Sequence, residues 1–201
     1  MATNRSNGYD EIATTFMSIR AASRIGATTI CEWSRALPAG GAVLDLGCGH
    51  GVPVAEVLIG SGFDLHGIDA SSRMIDAFRD RFPEAPTACE TVEESAFLGR
   101  KFDGVVACGL IFLLASQVQR TLIRKVAKAL DQGGHFLFTA PEERGVWADT
   151  LTGRESTSLG DEAYRRLLDS VGLAVDGHLW DEGRNHYYAT SREARLMRSN
   201  A

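Results

Sequence analysis

Several things are scarce in this sequence. The four cysteines (Cys31, Cys48, Cys89 and Cys108) include no Cys-x-x-Cys pair and have no disulfide-framework density. Reduced thiols make the cytoplasm the simplest compartment. Long apolar runs are missing too. The longest, residues 105–115, is too short to span a bilayer. The first eight residues are polar and lack the apolar segment of a signal peptide. There is no excess of positive charge: 21 Lys+Arg against 26 Asp+Glu leave a net charge of −5. That balance argues against a protein that holds nucleic acid or a membrane surface by bulk electrostatics. No internal repeat, low-complexity tract or Pro/Gly/Ser linker interrupts the chain. What remains is 201 residues, 44% of them hydrophobic, enough for one domain that buries its core without staples.

Short β-type runs alternate with longer helical ones. Residues 43–46 form an apolar run stopped by glycines, and residues 52–58 read as a helix. Strands are expected over 63–69, 87–89, 102–108 and 135–139. A helix over 71–82 starts at Ser71 or Ser72 as N-cap and stops before Pro83. Another, over 116–130, places Val118, Leu122, Val126 and Leu130 at helical spacing, with Gly133-Gly134 as its end. Such alternation implies βαβ units and a parallel sheet. All-apolar strands such as Val105-Val106-Ala107 fit a sheet covered on both faces. The front, residues 9–37, reads as helical up to Pro38-Ala39-Gly40-Gly41. The tail reads as a helix over 163–171 and a hairpin of strands 173–180 and 185–190, an antiparallel pair closing one side of the sheet.

The central feature is Val43-Leu44-Asp45-Leu46-Gly47-Cys48-Gly49-His50-Gly51. A strand runs into three glycines at alternate positions and then into a helix. Glycine permits backbone angles closed to other residues and lets a ligand approach with no Cβ in the way. The helix that follows aims unpaired N–H groups at the same space. A dinucleotide fingerprint wants G-x-G-x-x-G, but here Val52 stands where the last glycine belongs. Asp45 would repel a pyrophosphate. It suits an ammonium group, or a role holding the loop through backbone N–H groups. Asp69, at the carboxyl end of the second strand, is placed to accept both hydroxyls of a ribose. The ligand so described is an adenosine with an amino-acid tail.

These residues, Asp45-Leu46-Gly47-Cys48-Gly49-His50-Gly51 followed by Gly67-Ile68-Asp69-Ala70-Ser71, resemble the class I S-adenosylmethionine-dependent methyltransferases of small-molecule type. The resemblance covers about residues 9–140. It implies a Rossmann-like, doubly wound α/β fold with seven strands, mostly parallel with an antiparallel last strand, and helices on both faces. It also implies one domain in three parts: a helical cap (1–41), a cofactor-binding core (42–140), and a substrate-side loop, helix and C-terminal hairpin (141–201). Carried over by position, Gly47, Cys48, Gly49 and Gly51 cradle the methionine moiety of S-adenosyl-L-methionine, and Asp45 lies near its amino end. Asp69 takes the ribose, while Ala70 and Met74 pack on the adenine. Glu90 takes the adenine amino group, with Thr91 and Val92 offering backbone contacts. Cys108 faces the cofactor, and Tyr9, in an entrance helix, covers it.

Methyl transfer from a sulfonium is an in-line displacement, so alignment is its main demand. A base is needed only for a nucleophile that begins protonated. After the fourth strand the chain reads Cys108-Gly109-Leu110-Ile111-Phe112. It lacks the Asn/Asp-Pro-Pro-aromatic sequence that relatives use on nucleobase or glutamine amino groups. A small-molecule acceptor is therefore expected, resting on Leu110 and Phe112, with Trp147 from a long loop over residues 141–158 as lid. Strand alternation puts His186 and Tyr188 on one face and Asn185 and Tyr187 on the other. His186 and Tyr188 are the pair taken as base and hydrogen-bond donor. No metal site is expected: His66, His135 and His178 fall on strands without a visible partner, and His50 on the solvent side. Cys48, Cys89 and Cys108 share one rim as apolar filler or as thiolates for a soft metalloid; arsenic-methylating relatives would also need cysteine pairs beyond residue 108, and there are none. The rival readings are a nicotinamide-dependent oxidoreductase and a non-catalytic module that binds S-adenosylmethionine. Monomer and homodimer are both open.

Overall fold

A computed structural model describes residues 5–193. In chain order the elements are α1 (Ala13–Arg20), α2 (Ala27–Ser34), β1 (Ala42–Leu46), α3 (Val54–Gly60), β2 (Asp64–Asp69), α4 (Ser72–Arg81), β3 (Thr87–Cys89) and β4 (Phe102–Ala107). There follow α5 (Ser116–Ala129), β5 (Leu130–Thr139), β6 (Gly145–Ala148), β7 (Glu155–Ser158), α6 (Asp161–Ser170), β8 (Leu173–Trp180) and β9 (His186–Arg192). Seven strands make one sheet in the order β3-β2-β1-β4-β5-β9-β8. All neighbours from β3 through to β5 are parallel, whereas β9 runs antiparallel to both β5 and β8. This is the expected architecture, with the antiparallel last strand inserted between two others.

Period-two alternation divides the strands between two cores. Leu44, Leu46, Val105, Phe136, Phe138 and Tyr188 pack under α5 and α6. Val43, Val106, Leu137 and Tyr187 pack under α2, α3 and α4. Both faces are thus covered, which is why β4 and β5 read as nearly continuous apolar runs.

Boundaries move where tertiary contacts outweigh local signals. Gly133-Gly134 does not end α5, because the chain turns extended at Leu130 (φ −71°, ψ 141°) and the pair lies inside β5. Leu130 is wholly buried and pairs with Phe102 of β4, so sheet burial stops the helix earlier than the glycines would. α3 starts at Val54 rather than residue 52, since the residue before a proline is disfavoured in helical geometry. The front is two helices broken near Gly26 (φ +87°), where a Cβ would lie 2.7 Å from the Tyr187 hydroxyl. Residues 141–158 hold the β6–β7 hairpin, a separate two-stranded sheet, instead of an irregular loop.

Candidate active site

The glycine loop leaves β1 and is stitched to β2 by Gly47 and Cys48 N–H groups, both donating to the Ile68 carbonyl (2.8 and 3.1 Å). Gly47 (φ +71°) leaves only 3.2 Å between a built Cβ and Leu110. Gly49 (φ +53°) faces open space. Its N–H donates to Asp69 Oδ2 at 2.9 Å, and Ser71 N–H donates to Asp69 Oδ1 at 2.8 Å. Ser71 is the N-cap of α4, its hydroxyl accepting from Met74 N–H. Two acceptor positions on Asp69 are thereby used, and the carboxylate keeps others for a ligand.

Above this loop lies a cavity of about 520 Å³. Its floor is Gly47, Cys48, Gly49, Asp69, Ala70 and Met74. Glu90, Thr91 and Val92 flank it after β3, and Cys108, Leu110 and Phe112 after β4. Tyr9 also lines it; its hydroxyl is 3.4 Å from Asp149 Oδ2 and its ring lies edge-on to Phe16. A smaller cleft of about 170 Å³ runs beside α5 and is lined largely by apolar groups and the Lys125 stem.

Five anticipated residues fall outside the lining. Gly51 (φ +88°) touches Phe82, where a Cβ would sit 2.5 Å from the ring, so its glycine serves packing against α4. Trp147 stands behind Phe112, ring centroids 5.9 Å apart. His186 and Tyr188 are on the far face of β9. Tyr188 stacks on Phe138 (4.8 Å) in the α5–α6 core, and His186 Nδ1 faces the Ala140 carbonyl at 2.8 Å. Asn185 and Tyr187 line the cavity instead, so the expected base-and-donor pair is absent from it.

The fifth residue, Asp45, is the most telling. It is 1% exposed and its Oδ2 has no hydrogen-bond partner among the described residues. Burial, and then the Asp69 charge, push its carboxyl up to about 8. Burial also raises Asp69, against the opposing Ser71 and Gly49 N–H groups. A buried carboxyl raised by burial and by a neighbouring carboxylate, under a cavity floor, favours a cationic ligand group. The thiols behave oppositely to a metalloid site: burial first, and Asp45 next, push Cys48 and Cys108 upward, keeping both as neutral thiols, while Cys89 is exposed.

Other lining residues carried no signal of their own in the sequence. Phe16 and Arg20 arrive from α1, and Asp149 and Leu151 from the β6–β7 turn. His50 is buried and lines the cavity, with no hydrogen-bond partner for Nε2 among the described residues and with burial lowering its pKa. Asp181 organises the β8–β9 turn: Oδ1 accepts from Gly183 and Asn185 N–H (both 2.9 Å), and Oδ2 accepts from the Tyr187 hydroxyl at 2.8 Å. His178, expected to lack a partner, has its Nδ1 2.6 Å from His186 Nε2.

This strand order, with a glycine loop and an acid at the ends of adjacent strands, defines a class I methyltransferase fold. Residues 43–134 match the sequence model of a methyltransferase domain family. That segment carries the methyltransferase-domain pattern, and the chain shares the fold of S-adenosylmethionine-dependent methyltransferases. It is 28% identical over 167 residues to a sarcosine/dimethylglycine N-methyltransferase of Aphanothece halophytica, covering 77% of this chain and 58% of that protein. The chain thus spans little more than half of that relative's length. Among solved structures it resembles a TehB-like methyltransferase of Corynebacterium glutamicum (TM-score 0.69, 20% identity, 92% of this chain and 97% of that one). It also resembles 1,6-didemethyltoxoflavin-N1-methyltransferase of Burkholderia thailandensis, solved with that compound and S-adenosylhomocysteine bound (TM-score 0.68, 18% identity, 96% and 92%).

Proposed function

We propose that the protein transfers a methyl group from S-adenosyl-L-methionine to a small-molecule acceptor. The observation that carries this reading is the buried Asp45 carboxyl, whose Oδ2 has no partner among the described residues, beneath an open glycine loop on which Asp69 also converges through the Gly49 N–H. The residues present suit the cofactor. Gly49 leaves room for it, Asp45 and Asp69 offer acceptors for an ammonium and a ribose, and Ala70, Met74 and Val92 offer an apolar wall for a base. When bound, the cofactor supplies an electrophilic methyl on a sulfonium that leaves as a neutral thioether. The cavity volume is within the range of about 300–1,000 Å³ usual for one small ligand, so little space is left for an acceptor beyond metabolite size. The relatives that act on sarcosine and on a toxoflavin precursor agree with an acceptor of that size.

The chain's own contribution is positioning and exclusion of water. Leu110 and Phe112 form the acceptor wall. Tyr9 and Asp149 tie the N-terminal segment to the β6–β7 turn over the opening. Tyr187, held by Asp181, presents its ring and hydroxyl at the side. Burial keeps that hydroxyl protonated, so it donates rather than abstracts protons.

Calorimetric titration of the full chain with S-adenosylmethionine and, separately, with a nicotinamide dinucleotide tests the reading. Saturable binding of the first alone is expected. A protonated Asp45 must give up its proton to face an ammonium, so affinity rises from pH 6 towards the Asp45 pKa of about 8. Binding of the dinucleotide alone, or an affinity that falls over that range, overturns it. A screen of pooled metabolites with isotope-labelled cofactor then identifies the acceptor.

A further inference from the structure

On the face of the β8–β9 hairpin turned away from the cavity, three potential ligand atoms converge. His178 Nδ1 and His186 Nε2 are 2.6 Å apart, and Glu142 Oε1 lies 3.7 Å from each. We propose that Glu142, His178 and His186 form a binding site for a divalent transition-metal ion of the zinc class. This site stands independently of the methyl-transfer reading.

The local structure fixes the ligand atoms before any ion arrives. β8 and β9 pair so that His178 is opposite Tyr188 and Trp180 opposite His186. The two histidines are therefore diagonal neighbours on one face, at a separation that long side chains bridge. The Ala140 N–H donates to the His186 carbonyl, and the Ala140 carbonyl faces His186 Nδ1 at 2.8 Å. Two carbonyl lone pairs opposite Nδ1 require a proton there, so the lone pair of His186 is on Nε2 and points at His178. A backbone carbonyl on the distal nitrogen is the usual outer support of a metal-bound imidazole. Glu142 follows two residues later, and its own carbonyl accepts from Asp161 N–H at 2.8 Å, which anchors the backbone that carries it.

The spacing is close to what a tetrahedral ion demands. Metal–ligand bonds of about 2.0–2.2 Å put ligand atoms about 3.3–3.6 Å apart. The two Glu142 edges are near that value. The N···N edge must open by less than about 1 Å, the change expected when an ion replaces a proton between two nitrogens. Without the ion, His178 Nδ1–H donates to His186 Nε2, and Arg165 donates to His178 Nε2. With it, the His178 proton moves to Nε2, which requires Arg165 to leave that nitrogen and the Asp161 carboxylate, 3.8 Å away, to close in as acceptor. The Arg165 charge is paired with Asp161 (2.8 and 3.0 Å), which limits its repulsion of a cation.

Ligand chemistry narrows the ion. Two imidazoles and one carboxylate suit zinc, cobalt or nickel, whereas magnesium and calcium require sets made mainly of oxygen. The imidazoles are mostly buried against Tyr188 and Trp180 (ring centroids 4.7 and 5.0 Å from His186). Glu142 is half exposed, so it provides an entry path and leaves the fourth position to water. An ion here would clasp the strand end leading into the β6–β7 hairpin to the hairpin whose other face carries Tyr187 and Asn185.

The test uses untagged, metal-stripped full chain titrated with cobalt(II), followed by zinc(II), with magnesium and calcium in parallel. One equivalent of cobalt is expected to produce visible ligand-field absorption of a four-coordinate site. Zinc should abolish that absorption, magnesium and calcium should not, and zinc should raise the Tm. His178→Ala should lose the absorption and the zinc-dependent Tm rise. Glu142→Gln, at an exposed position that leaves the fold alone, should weaken binding while circular dichroism stays unchanged. The proposal is overturned if no saturable binding occurs near one equivalent. It is equally overturned if both variants bind as the parent does, because the ion then sits elsewhere, as on the cysteines.

Discussion

On one side of β9, Tyr187 meets Asp181, the break between α1 and α2, and the cavity; on the other, Tyr188 meets Phe138 and Tyr164. The two residues are adjacent and chemically identical, yet their surroundings differ. The cavity side is a polar layer, with the Asp45 carboxyl, two neutral thiols and the Asp181 turn on the same sheet face. The α6 side is a dry aromatic stack that gives way, at the strand end, to the histidine cluster. The lesson is that strand parity at this end of β9 separates the cavity lining from the aromatic core. One residue of register slip along β9 would exchange the two.

The strongest test of that separation is Tyr188→Ala. The side chain is wholly buried in the aromatic stack, so truncation should cost about 3–5 kcal/mol by analogy with buried aromatic deletions, read from urea unfolding. At a temperature where the variant remains folded, cofactor affinity should equal the parent's. A variant with normal stability and weakened cofactor binding would place Tyr188 on the wrong face.

Asp69→Ala should act in the opposite sense. Hydrogen bonds to a charged acceptor are worth about 1.5–3 kcal/mol each, so cofactor affinity should fall roughly tenfold to a hundredfold, measured by calorimetry. Stability should change less than in Tyr188→Ala, because the Gly49 N–H released from Asp69 lines the cavity and can reach water, leaving only the buried Ser71 N–H without its acceptor. Unchanged affinity would remove Asp69 from the ribose assignment.

Different parts of this arrangement were legible in the sequence to different degrees. The glycine loop and Asp69 could be read because their constraint is local: a strand, positive-φ positions and a helix start within about ten residues. The parallel sheet followed from the alternation of strands and helices, whereas its seven strands and antiparallel last strand came from the family resemblance. The orientation of β9 was not legible. Alternation pairs His186 with Tyr188 and Asn185 with Tyr187 but does not say which pair faces the cavity; that depends on β5 and β8 on either side. Arg20, Phe16 and His50 are brought in by packing of the front helices, which has no short-range signature. The β6–β7 hairpin was hidden because its strands are four residues each and Val146 points outward, 64% exposed, so no buried alternation marks them. Gly51 fits the loop pattern, yet the proximity of Phe82 is what requires its lack of a side chain. His178 and His186 could have been paired from the hairpin already inferred, since they stand on one face across its turn. Glu142, from another connection, could not.

The smallest effects give the sharpest comparison, because one substitution can be made on both faces. Tyr187→Phe removes a hydroxyl that donates to Asp181 Oδ2 at 2.8 Å. Asn185 Nδ2 also donates to that oxygen at 2.9 Å, so the acceptor is not left bare and the loss should be about 0.5–1.5 kcal/mol. Part of it should appear as weaker ligand binding, since the hydroxyl borders the cavity. Tyr188→Phe removes a buried hydroxyl with no hydrogen-bond partner among the described residues; the Asp161 charge acts on it, but outside hydrogen-bond geometry. Deleting an unsatisfied buried polar group relieves its desolvation cost, so stability should hold or rise by up to about 1 kcal/mol, with ligand affinity untouched. Paired denaturation and titration curves for the two variants decide the matter. A loss of stability in Tyr188→Phe that matches or exceeds that of Tyr187→Phe would mean the far-face hydroxyl has a bonded partner after all, and the contrast between a ligand side and a dry side would fail.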